Sequence, residues 1–254
     1  HLFFNRLRFC TAAIPTVVRY SKDTPMDETI HIYLDALHKT DTHTISSTKT
    51  RLWPSILVSL RWIFKHPISG STIIQNGLGL LVINNLAIAV EGFITDILVE
   101  YLDNNELKKS AKIEQIENSN WTSKVKHYNK IFSNKLDKCA SYKSIEILFL
   151  LRNNTAHGRT HRETNSMNIA TQERTKIEST NANYQKVRQF FNEVNVMKES
   201  EIYSNVETLW KLNNVLFLIG QVQVFLHSVL ENNKSEKFTS ITSELNNAYK
   251  MTIS

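Results

Sequence analysis

Ser141–Gly158, SYKSIEILFLLRNNTAHG, decides how the chain reads. Ile145, Ile147, Leu148, Phe149, Leu150 and Leu151 form an apolar helical run, which predicts a buried wall, and Gly158 is a residue at which that helix can end. Arg152, Asn153 and His157 fall at its close. Arginine is a permanent planar cation that grips phosphate bidentately, and histidine titrates near neutrality, so the two together can bind and cleave a phosphodiester without a metal.

Working outward, the fold class follows from punctuation. Six glycines and four prolines in 254 residues are too few to interrupt a many-stranded architecture, so an all-α fold is predicted, and the length suffices for a sizeable core. Arg51–His66 reads as a helix opened by Pro54 and closed before Pro67. Ser71–Tyr101 is the most hydrophobic stretch, yet Gln75, Asn84, Asn85 and Glu91 interrupt it, which predicts a buried central helix and no membrane span. Gly77-Leu78-Gly79 lacks the third glycine and the preceding strand of a dinucleotide fingerprint. Tyr184–Asn195 and Glu201–Glu231 read as closing helices, the second apolar nearly all round and so central or at a subunit contact. Ser235–Ser254 is polar with a modest amphipathic piece and is expected to fray.

The domain therefore spans 51–254, and 1–50 is an N-terminal arm and linker. His1–Tyr20 carries Arg6, Arg8 and Arg19 within an apolar stretch and lacks the uninterrupted core of a signal peptide. Asp23–Thr50 is polar with one amphipathic piece at Ile30–Leu37, read as a linker or a loosely attached helix.

Charge points toward a polyanion. The net charge is +6, and Asp103–Lys143 interleaves lysines, including Lys124 and Lys126, with Trp121, Tyr128 and Phe132. Such a mixture can neutralise phosphates and stack bases, although lysines also serve simply as a solvated helix face. Arg159–Thr180 is polar, holds Arg159, His161 and Arg162, and reads as a mobile segment able to close over a bound strand. His157 and His161 stand four apart, but Gly158 breaks the helix between them and no third ligand is evident, so no metal is expected. Cys10 and Cys139 form no metal spacing, which makes a reducing cytoplasm the expected setting.

The words LRNNTAHG resemble the R-x4–6-H signature of the HEPN superfamily (higher eukaryotes and prokaryotes nucleotide-binding domains). Asn153 is the polar residue that often follows the arginine, four residues separate Arg152 from His157, and Ala156-His157-Gly158 is a common family ending. The resemblance implies a HEPN-like helical bundle with an N-terminal extension, acting as a metal-independent endoribonuclease of the toxin or anti-phage defence type. Glu91, in AVEGF, resembles an acidic position on an early helix of family members, where a carboxylate would hold the guanidinium and leave part of its fork for phosphate. Its alternative reading is an acid at the helix's wet edge or on a structural partner. The implied chemistry uses neutral His157 as general base on the ribose 2′-hydroxyl, whose oxygen attacks phosphorus while Arg152 stabilises the phosphoryl charge. The products are a 2′,3′-cyclic phosphate and a 5′-hydroxyl, and DNA is resistant.

Helix geometry adds a constraint. At about 100° per residue, Asn153 and His157 lie about 40° apart, which makes Asn153 the orienter of the imidazole, whereas Arg152 and His157 diverge by about 140°. Either the helix end distorts or a second chain supplies the complement, and the resemblance implies a homodimer with a composite cleft. RNA would be held by Arg159, Arg162, Lys124 and Lys126, with no cofactor, and an antitoxin or regulatory protein is the further implied partner. Arg159 occupies the place where one subset of HEPN toxins carries a regulatory tyrosine, which argues against that form of control. The competing readings are a non-catalytic HEPN-like or unrelated helical module that binds RNA, nucleotide or protein, and a membrane-associated protein using the N-terminal arginines.

Overall fold

The computed structural model describes residues 32–39, 44–65, 72–104, 110–155, 163–171, 174–179, 182–198, 206–234 and 238–250. These are predominantly helical, with helices α1 (Trp53–Lys65), α2 (Thr72–Asn104), α3 (Ser110–Glu117), α4 (Trp121–Ile131), α5 (Tyr142–Thr155), α6 (Ala182–Glu193), α7 (Leu212–Asn232) and α8 (Thr239–Lys250). The N-terminal arm before Ile32, with Cys10, lies outside the described residues, as do His157, Gly158, Arg159, His161 and Arg162.

The long apolar stretch becomes α2, 33 residues and about 50 Å long. Val82, Ile83, Leu86, Ala87, Ala89, Val90, Phe93, Ile94, Ile97, Leu98 and Leu102 are fully buried on it because α1, α4, α5 and α7 pack around it. Its polar interruptions are absorbed locally. Asn84 and Asn85 donate their amides to the Leu80 and Leu81 carbonyls at 3.0 and 2.9 Å, and the Thr95 hydroxyl donates to the Glu91 carbonyl. By length and composition, Gln75–Asp103 and Leu212–Asn232 could each cross a membrane, and half of the first helix's most apolar window is buried inside the fold.

Two expectations about the C-terminal third need correcting. Glu201–Glu231 does not form one helix, since a short 3-10 turn at Val206–Trp210 precedes α7. That turn crosses α2 at Gly79, where a Cβ would stand 2.1 Å from the Trp210 carbonyl oxygen, so only glycine permits the approach. The amphipathic piece of the C-terminal segment forms α8, whose described residues are anchored where fraying was expected. Ile241, Leu245 and Ala248 are buried, and α8 packs on α1.

Arg51 explains part of that anchoring. Its guanidinium reaches Glu244 Oε1 at 2.7 Å on α8, and Glu100 Oε2 at 2.7 Å and Asp96 Oδ2 at 3.3 Å on α2. Trp53 Nε1 donates to Asp96 at 2.8 Å. Burial opposes the charge of Arg51, but the bond to Glu244 and the fields of Asp96 and Glu100 more than offset it, so its pKa is raised.

The predominantly helical structure agrees with the all-α expectation, and two hairpins lie outside its helices. Ile30–Leu37 was expected to be a linker or loose helix, but Ile32–Lys39 (β1) pairs antiparallel with Thr44–Thr50 (β2). Arg159–Thr180 contains a second hairpin, Glu163–Met167 (β3) with Arg174–Ser179 (β4). Threonine and isoleucine favour the pleat, and the Asn168 side chain accepts the Ala170 N–H at 2.9 Å to form the turn.

Candidate active site

Helix α5 places the candidate arginine. Ser141, with φ of 63°, sits in the left-handed region just before α5, and its hydroxyl donates to Gln221 Oε1 on α7 at 2.6 Å. Ser144 donates to the same oxygen at 3.3 Å. From this anchored start, Ile145, Ile147, Leu148, Phe149 and Leu151 bury the wall read from the sequence. The close of the helix is polar: Asn154 donates to the Leu150 carbonyl at 2.8 Å and Thr155 to the Arg152 carbonyl at 3.2 Å.

Arg152 and Glu91 are brought together. Arg152 Nη2 lies 3.9 Å from Glu91 Oε2, and Arg152 Nη1 donates to Asn153 Oδ1 at 3.1 Å. Side-chain exposure is 36% for Arg152 and 20% for Glu91, so the guanidinium is held on its inner side and open on its outer side. Asn153 is exposed and spends its carbonyl oxygen on Arg152. The orienting role expected of it toward His157 falls on a residue outside the described set.

Lys124 is the part that sequence reasoning misplaced. It was expected on an open RNA-contacting surface, but it is 3% exposed. Its ammonium lies 3.5 Å from Glu91 Oε1 and donates to the carbonyls of Glu117 and Ser119. A buried ammonium needs such partners, and Lys124 supplies the second cation on Glu91. A signal was present: Lys124 is four residues before Tyr128 and eight before Phe132, on the apolar face of its helix. Tyr128 and Phe132 are likewise buried rather than displayed for stacking, and burial pushes the Tyr128 phenol well up. Lys126 is exposed, and Trp121 is half-buried.

Beside Asn153 runs a groove of about 590 Å³ between α4, α5 and α6, lined among others by Trp121, Phe149, Phe190 and Gln189. Trp121 begins α4, whose start is fixed where Asn120 Oδ1 accepts the Ser123 N–H at 3.0 Å, and its indole stacks on Phe149 with centroids 4.3 Å apart. Among the described residues, no group of three His, Cys, Asp or Glu is arranged to hold a metal. No protein-family model, curated protein or solved structure matches the chain.

Proposed function

We propose that this chain is a metal-independent endoribonuclease of the HEPN type, working as a homodimer in the cytoplasm, with a toxin or anti-phage defence role. The observation that carries the reading is the half-open Arg152 fork, seated on Glu91 and Asn153 at the end of the helix from which the sequence runs on to His157. One edge of the guanidinium is preorganised by a carboxylate, and the exposed remainder suits a phosphoryl oxygen. Lys124 holds the far oxygen of Glu91, which keeps that carboxylate fixed while Arg152 engages a ligand. His157 takes the 2′-hydroxyl proton, the freed oxygen attacks phosphorus, and the 5′-oxygen leaves with a proton from the second chain's histidine or water.

A second copy has a face to use. Leu212, Leu216 and Val224 are exposed on α7 at spacings that span an arc of about 120°, with exposed Gly220 between them. The test is incubation of RNA in EDTA-containing buffer. Wild type yields 2′,3′-cyclic phosphate ends, and His157→Ala yields none while keeping its helical circular dichroism. If wild type leaves RNA intact, the non-catalytic binding module stands instead. That second reading has its own support, because the Glu91–Lys124–Arg152 network also ties α2, α4 and α5 together.

A further inference from the structure

The groove between α4, α5 and α6 continues the candidate site. Asn153 lines it and at the same time accepts a hydrogen bond from Arg152, so a ligand whose phosphate sits on Arg152 has its next group directed into the groove. The volume, about 590 Å³, falls within the roughly 300–1,000 Å³ of pockets that enclose small ligands.

Its chemistry separates two parts of a nucleotide. Lys143 and Lys186 on the walls are balanced by Glu146 and Glu193, and Lys143 Nζ is already paired with Glu193 Oε2 at 3.1 Å. An electrically balanced groove offers little to a phosphate. It does offer aromatic surface, chiefly from half-buried Trp121, which is backed by the nearly covered rings of Phe149 and Phe190, together with the side-chain amides of Asn153 and Gln189. Aromatic walls and amides suit a flat heterocycle with donors and acceptors on its edge. Such a base enters only when it is unstacked from its neighbours.

We infer that this groove binds one splayed base of single-stranded RNA, next to the phosphate on Arg152. The inference rests on the nucleic-acid reading of the site and adds to it a seat for one base in this groove.

The experiment uses a fluorescent, mixed-sequence 2′-O-methyl RNA hexamer, which has no free 2′-hydroxyl and is not cut, and reads its binding to the full chain by anisotropy. Trp121→Ala should weaken binding roughly tenfold. Because Trp121 also packs on Phe149, Gln189→Glu at an exposed α6 position serves as the second variant, placing a carboxylate in the groove and weakening binding severalfold without disturbing the core. A fully abasic hexamer and a blunt duplex of the same sequence should both bind at least tenfold more weakly. Equal binding of abasic, duplex and single-stranded probes, no binding of the hexamer by wild type, or wild-type affinity in both variants overturns the inference. Cleavage of ordinary RNA is scored separately: base-dependent binding without cleavage leaves the groove standing and removes the ribonuclease, and cleavage with base-independent binding does the reverse.

Discussion

Helix α2 presents carboxylates to two arginines, and the two meetings have opposite characters. Arg51 is 5% exposed in its side chain and is surrounded by Asp96, Glu100 and Glu244, with Ser240 accepting a further bond. Arg152 is 36% exposed in its side chain and pairs with Glu91 at 3.9 Å. Charge pairing by itself therefore does not mark a functional arginine. What differs is how much of the fork the fold has consumed: Arg51 closes a joint between α1, α2 and α8, whereas Arg152 retains an outer edge that faces solvent.

The largest expected effect breaks the comparison on the Arg51 side. Arg51→Ala removes from Glu244, 3% exposed, the guanidinium at 2.7 Å, and from Asp96 and Glu100 the cation they share with it. Removal of one partner from a buried ionic network costs about 3–5 kcal/mol, so urea unfolding should move to a much lower midpoint. Arg152→Ala should shift that midpoint by no more than about 1 kcal/mol, because a half-exposed pair is screened by water. Its effect belongs in cleavage, reduced roughly 10²–10³-fold for the loss of a charge-stabilising donor. Arg152→Lys should recover little, since an ammonium cannot reproduce the fork. If both alanine variants lost stability equally and cleavage survived at Arg152, the distinction between the two arginines would be void.

The contrast also shows what the sequence carried. The helices α1, α2, α5 and α6 were legible because their apolar runs, and for α1 the prolines at 54 and 67, are local properties. The Arg51 joint was not legible: Arg51 and Glu244 are 193 residues apart, and no local pattern announces such a contact. Asp96 and Glu100, one turn apart on a mostly apolar helix, were the available hint. The two hairpins were missed because β2, β3 and β4 are mostly polar and read as linker or mobile segment, and the short amphipathic run in β1 read as a loose helix. At the site, Arg152 and Glu91 were paired from a resemblance, and the structure places them side by side. Lys124 was misread because lysine was assigned to solvent by type, without weighing the apolar face it shares with Tyr128.

A smaller effect sharpens the comparison at the level of the second chain. Leu216→Asp on the exposed arc of α7 should weaken self-association roughly 30-fold, the loss of about 2 kcal/mol expected of a central interface residue. Sedimentation velocity reads the change directly. Cleavage should fall with the dimer fraction and return at high protein concentration, while Arg51-dependent stability of the monomer stays put. Wild type sedimenting as a monomer at all concentrations would remove α7 from the composite-site proposal.

The smallest effect concerns titration in the wall of the groove. Tyr142 opens α5 and lines the groove, and burial, followed by the nearby charges of Glu146 and Asp137, raises its phenol from near 10 to about 12. A phenol whose folded pKa lies above its unfolded value binds its proton more tightly in the native state. Its contribution to stability is therefore fully present below about pH 10 and is lost progressively as pH climbs toward 12, where the unfolded chain has released the proton and the folded chain has not. Tyr142→Phe removes the titrating group and keeps the ring against Phe225. Urea midpoints of the two proteins should run parallel from neutrality to about pH 10, and above it wild type should decline more steeply than the variant. Parallel curves through pH 11 would mean that the phenol is solvated in the folded chain, and that the groove wall at the start of α5 is more open than its packing implies.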